Sequence, residues 1–466
     1  MSKNSIQLNP KFQCENTYKE LNSLIKVTSN FVQKTDTGYS SSETRFSDSV
    51  DLVYSHLFEK TDLSNRLFNI NATKRSINIW KILYELQKFK EEEQLPQMLS
   101  LLDKEIKTIK KKKSKTHRVV FLLNIKQFHR MNDLEIREKE FDIYNDILKV
   151  FDIKNVEYQQ FINSCQNMKE KEQKKIKQIL NYFYSAKGEI IEINIKGRDQ
   201  DYVFENSIKS LEVLFGFLSY VKLSFFRTYR YGENISVDNL DYIYYFILDD
   251  NEMLIPHNLH YAKYEINRKK PRNMLDLKIA NQIDKFNEYL DFASEDKSKS
   301  KMWGYLEEFF RLYHKACYEN NIDYSFLRFW MVSERIIKKI NGRNKDEKLI
   351  NTMSKILNTF YKWPVEKFIE RRIEFLYNKR NTLVHEGNSK IITEEDRNLA
   401  KLISDCVLWF YINNYPKLNN IKEYNFYLQN FKQSPDDIKR YSDILKTISK
   451  ERKYSDFYNV IQKWSE

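Results

Sequence analysis

Turn-forming residues are scarce in this chain: 8 glycines and 7 prolines serve 466 residues. Sharp reversals are therefore few, and long helices should dominate. Cysteine is scarcer still. Cys14, Cys165, Cys317 and Cys406 lie far apart with no CxxC pair. That spacing excludes a zinc ribbon and a small disulfide scaffold, and it suits a reducing compartment. No run approaches the roughly 18 apolar residues a membrane span needs, and the opening MSKNSIQLNPKFQCENTYKE has no apolar leader core. The expectation is a cytoplasmic protein with no membrane partner. Histidine numbers only seven, so each one in a polar setting is a candidate for chemistry.

Hydrophobic residues make up 41% of the chain and aromatic residues 15%, which excludes a disordered polymer and predicts cores rich in ring area. The length predicts two or three domains of roughly 150 residues each. Lysine and arginine outnumber aspartate and glutamate by 78 to 65, a net charge of +13. A basic surface gains free energy by releasing counterions from a phosphate backbone, so an anionic partner is one reading and solubility alone is the other.

The chain divides into three regions. Residues 1–116 read as an N-terminal helical region, with Ile77, Ile79, Trp80, Leu83 and Leu86 at helical spacing and a polar loop over 34–49. The basic run KEIKTIKKKKSK at 104–115 ends it, either as a phosphate contact or, the preferred reading, as a solvated helix end. Residues 117–296 read as a mixed α/β domain of sensor or regulatory type. Strands are expected at RVVFLLNI, EIIEINIKG, VKLSFFRTYRYG and DYIYYFILDDNEMLIP, with a helix at ENSIKSLEVLFGFLSY. His257 and His260, with Asp250 nearby, form a second-rank metal candidate. A pair of histidines still needs a third ligand, and LDDNE reads more simply as a turn. After the Lys-rich linker ASEDKSKSK, residues 302–466 read as an all-α domain of five helices and a helical extension. Pro364 suits the first turn of the fourth helix, Gly387 its exit, and Thr393 with Asp396 the cap of the fifth. The fold class expected is mainly α.

The fourth helix ends in YNKRNTLVHEG. At 100° per residue Val365, Phe368, Ile369, Ile373, Leu376, Leu383 and Val384 share one face, and Arg380 lies about 40° from Leu376 on it. A guanidinium there needs a partner, and Glu334 on the second helix is the candidate. Asn381 and His385 are four apart and stack on one face, whereas Arg380 and His385 are about 140° apart. Three things could close that gap: a loosened helix near Gly387, a long reach by the arginine, or a second copy of the helix. Arginine can hold a phosphate and neutralise developing charge, histidine can move a proton near neutral pH, and RNA brings its own 2′-OH nucleophile. Spacing alone favours the plainer arrangement, a salt-bridged arginine and a surface histidine.

RNTLVH, in a late helix of an all-α domain whose earlier helix carries FWMVSERII, resembles the signature of HEPN-domain ribonucleases. The wider YNKRNTLVHEG context is similar in particular to the ApeA-like HEPN group of bacterial anti-phage and abortive-infection proteins. The likeness covers residues 302–416. It implies Arg380 and His385 as the catalytic pair, Asn381 as their polar support and, on a looser match, Glu334 on the preceding helix. It also implies metal-independent cleavage of RNA to a 2′,3′-cyclic phosphate, no cofactor, and a cleft between two copies in a homodimer. A phage-derived trigger or an antitoxin would be the further partner. The competing expectation is a non-catalytic HEPN-like module that binds RNA, a nucleotide or a partner protein.

Overall fold

The computed structural model describes residues 6–9, 12–36, 38–41, 47–126, 144–158, 161, 170–185, 188–223, 240–249, 301–341, 346–361, 366–386 and 392–414, with nine single or paired positions between 423 and 443. The architecture is mainly helical with small sheets in the N-terminal half. His257, His260, Asp250, Pro364 and Gly387 lie outside the described residues.

The first region holds α1 (Glu15–Asn30), α2 (Ser47–Lys60), α3 (Leu63–Asn69), α4 (Ile79–Leu86) and α5 (Gln94–Lys111) around a core of its own. That core runs from Ile6 to Ile109 and draws on apolar residues three and four apart, as in Leu95, Met98, Leu102, Ile106 and Ile109 of α5. The polar loop expected over 34–49 is corrected here. Val32–Thr35 (β1) and Gly38–Ser41 (β2) pair as an antiparallel hairpin closed at Thr35 and Gly38, and α2 begins at Ser47. The glycine at φ 149° that opens β2 is hairpin chemistry that the Ser/Thr content obscured.

The second core begins at Val119. A four-stranded antiparallel sheet in the order β4-β5-β3-β6 comprises β3 (Lys115–Lys126), β4 (Ile153–Asn155), β5 (Gly188–Gly197) and β6 (Tyr242–Leu248). Its central strand β3 is buried on both faces, which is why VVFLL reads as an unbroken apolar run. Val119, Phe121, Leu123 and Ile125 face α7 (Gln200–Leu223), while Val120 and Leu122 face the side covered by α6 (Glu170–Ser185). The strand expected at VKLSFFRTYRYG is corrected in its first residues. Val221, Lys222 and Leu223 continue α7, and residues 224–232 lie outside the described residues.

Asp199 joins the two cores. Its carboxylate accepts from the N–H of Thr73 at 2.8 Å, the hydroxyl of Thr73 at 3.0 Å, the hydroxyl of Ser76 at 2.6 Å and the N–H of Tyr202 at 2.7 Å. The last of these caps α7, and the other three hold the 3₁₀ turn Lys74–Ser76 of the first region. Asp199→Ala should therefore lower unfolding stability by roughly 2–4 kcal/mol, one lost cap plus three stranded donors. Urea denaturation checks this, with Asp199→Asn recovering part of the loss.

Five helices complete the second core: α8 (Lys301–Tyr318), α9 (Ile322–Asn341), α10 (Asp346–Tyr361), α11 (Glu366–Glu386) and α12 (Glu394–Asn414). Their order and limits follow the expected pattern. The core does not stop at the Lys-rich linker, since α7 packs along α8 so closely that Gly216 touches the backbone of Phe310. Within the bundle Lys401 and Asp405 form a wholly buried pair at 2.7 Å, and the Tyr313 hydroxyl donates to the other carboxylate oxygen at 2.6 Å. Such a pair is costly to break one-sidedly, so it fixes how α12 sits on α8.

His314 lies in the α7–α8 seam against the rings of Phe215 and Tyr318. Burial, helped by the neighbouring Lys315 charge, drives its imidazole from 6.5 down to about 4. The unfolded chain therefore binds a proton that the folded chain refuses between those two values. The sign follows: stability is intact above pH 6.5 and falls as pH drops towards 4, by about 3 kcal/mol at the limit. Melting temperatures measured across that window should show the slope, and His314→Phe should flatten it.

Candidate active site at the end of helix α11

Ile369, Ile373 and Leu376 anchor α11, all at most 3% exposed, and Tyr377 packs on the buried Trp330 of α9. The packing strip is narrower than the wheel implies. Phe368 at 59% and Val384 at 51% exposure lie at its edges, open to solvent. Arg380 stands near the middle of the strip, and there its side chain turns towards α9.

One terminal nitrogen of Arg380 donates to Glu334 Oε2 at 3.4 Å, and the other donates to Asn381 Oδ1 at 2.9 Å. Glu334 is 11% exposed and its second oxygen takes Lys338, so one carboxylate faces two cations. A charge-assisted guanidinium contact is normally about 2.7–2.9 Å, so the Glu334 contact is a loose one that positions the fork without exhausting it. The side chain of Arg380 keeps 25% of its surface. A pair this exposed contributes at most about 1 kcal/mol to stability.

His385 occupies the last turn of the same helix and is exposed. Among the described residues it makes no hydrogen bond or ion pair. The helix stays regular through Glu386, so it does not loosen to bring His385 round to Arg380. Nor does the arginine reach across, since its two terminal nitrogens bond Asn381 and Glu334. Arg380, Asn381 and Glu334 are thus brought together within one chain, and His385 is not.

Beside this group Asp396, 2% exposed at its side chain, accepts from Lys379 and lies 3.6 Å from Arg372. It also closes a reciprocal cap: its carboxylate accepts from the Thr393 N–H at 3.0 Å and its own N–H donates to the Thr393 hydroxyl at 3.3 Å. Thus Lys379 ties α11 to the start of α12, one residue before Arg380. Lys338 and Lys379 are contributions the sequence reading missed. The four-residue spacing of Glu334 and Lys338 was a usable signal; the Lys379 contact, made between helices, left none. Among the described residues no group of His, Cys, Asp or Glu could hold a metal ion, and no helix is long and apolar enough to cross a membrane.

The site therefore belongs to a helical bundle fused to a small α/β layer. Compared with known proteins, the chain matches no family model, no curated protein and no solved structure.

Proposed function

We propose that the protein is a metal-independent endoribonuclease of HEPN type. The observation that supports this best is a partly exposed Arg380, its fork oriented by Asn381 and Glu334, on the same rigid helix that presents an exposed His385. In the proposed reaction the 2′-oxygen of one nucleotide attacks the adjacent phosphorus. His385 takes the 2′-OH proton, and a bond forms between the 2′-oxygen and phosphorus. The bond to the 5′-oxygen breaks, and that oxygen receives the proton back from the His385 imidazolium and leaves as a hydroxyl. Arg380 neutralises the charge that builds on the phosphoryl oxygens. The product ends are a 2′,3′-cyclic phosphate and a 5′-hydroxyl, and the step needs no water and no electron carrier.

In this reading the two groups act from different chains, and their separation along one helix supports it. In a homodimer with the α11 ends facing one another, Arg380 of one protomer and the partner's His385 would flank one phosphate, and the symmetry would make two such sites. The biological role that fits is anti-phage defence or toxin-like growth arrest in the cytoplasm, released by a phage-derived trigger or by loss of an antitoxin. The Arg380–Glu334 contact favours a second reading, a non-catalytic module that binds RNA, a nucleotide or a partner protein. Incubating the purified full chain with end-labelled RNA in EDTA separates the two: cyclic-phosphate ends support the nuclease, and binding without cleavage supports the module.

A further inference from the structure

Part of the chain's positive charge is gathered at one place among the described residues. At the foot of α5, Lys110, Lys111, Lys112 and Lys113 are all exposed, and among the described residues no carboxylate pairs with any of them. The sheet brings three more cations to the same place. Arg198, just after β5, donates from Nε to the Lys112 carbonyl at 2.9 Å, and Lys196 stands exposed opposite Thr116 in the β3–β5 register. Lys115, exposed at the start of β3, pairs with Gly197 in the same register.

The 3₁₀ turn that carries the exposed Lys74 is fixed alongside. The N–H of Arg198 donates to the Asn71 carbonyl at 3.0 Å, and Asp199 holds Thr73 and Ser76. Asp199, a carboxylate beside the cluster, already accepts from four donors. On the same side Phe68 is 58% exposed and its ring lies 6.4 Å from that of Tyr202, whose hydroxyl donates to Asn71. Three segments distant in sequence thus make one basic surface with an exposed ring beside it.

We propose that this surface, at the junction of α5 with the ends of β3 and β5, binds the phosphate backbone of a single-stranded polynucleotide. Exposed lysines in a row repay their mutual repulsion by displacing counterions from phosphates, and an exposed phenylalanine offers a base a stacking face. A membrane surface fits less well, because insertion needs several exposed apolar side chains and the Phe68 ring lies against Tyr202. The site is independent of the α11 pair and stands whether or not that pair cuts RNA.

The test measures binding of the full chain to labelled 2′-O-methyl RNA, single-stranded DNA and duplex DNA over a range of salt, probes that 2′-OH cleavage cannot consume. The variant Lys110→Gln/Lys111→Gln/Lys113→Gln/Lys196→Gln should bind single strands at least tenfold more weakly in moderate salt. Its plot of log affinity against log salt should be shallower by about 3, at roughly 0.7 for each lost phosphate contact on a single strand. Phe68→Ala should weaken binding about fivefold or more without changing the slope. All five side chains are exposed, so melting temperatures should match the parent. Unchanged affinity and slope in the quadruple variant would overturn the proposal, as would binding of anionic vesicles but of no polynucleotide. Equal loss for single strands and duplex would keep the phosphate surface and remove the stacking role of Phe68.

Discussion

His385→Ala is expected to lower RNA cleavage by about 10²–10⁴-fold, the usual contribution of a positioned proton-transfer group. Stability should not change, because the side chain is exposed and unbonded among the described residues. Arg380→Ala should lose about 10²–10³-fold, as removal of one donor to a developing oxyanion does elsewhere. The informative experiment mixes the two inactive variants. If Arg380 and His385 act across two chains, half of the random dimers carry one variant of each kind. One of the two sites in each such dimer is then intact, and about a quarter of parental activity returns. A mixture as inactive as its components would place the site within one chain, and undiminished cleavage by both single variants would sink the nuclease reading.

Gly216→Ala should destabilise the fold by roughly 3 kcal/mol or more, although a mid-helix glycine replaced by alanine ordinarily stabilises a helix by about 1 kcal/mol. The sign is set by space. A Cβ at Gly216 would lie 1.9 Å from the Phe310 carbonyl oxygen and 2.4 Å from its carbon, and both are backbone atoms that cannot rotate away. The two helices would have to part, opening contacts such as Phe217 on Phe310 and Tyr220 on Tyr313. Thermal melting of Gly216→Ala checks this, and an unchanged or raised midpoint would show that α7 and α8 are not locked at this point.

Much of the fold is legible in the sequence because the period of its apolar residues is strong. The five C-terminal helices, the long α7 and the strands β3 and β5 all carry patterns that local spacing determines. The failures are of two physical kinds. The β1–β2 hairpin is short and polar, so its pairing rests on turn geometry that composition hides. The limits of the packing strip on α11 depend on what lies opposite, and Phe368 and Val384 fall past its edges, exposed to solvent. The site divides in the same way. The Glu334 contact to Arg380 follows from needing a partner for a guanidinium on a packing face. The Lys379–Asp396 tie and the basic surface around Arg198 arise from segments far apart in sequence, which no local pattern brings together.

The close passage of Gly216 against Phe310 also bears on how the chain can be divided. Cutting at residue 301 would strip α7 from α8 and uncover Phe310 and the Tyr220-facing side of Tyr313, both buried in the intact chain. The bundle with the α11 pair is therefore not an autonomous cartridge that the rest of the chain merely tethers. The Asp199 contacts and α7 tie the N-terminal region to it, so a shift in one would meet the other as a change of helix spacing and not as the release of a separate body.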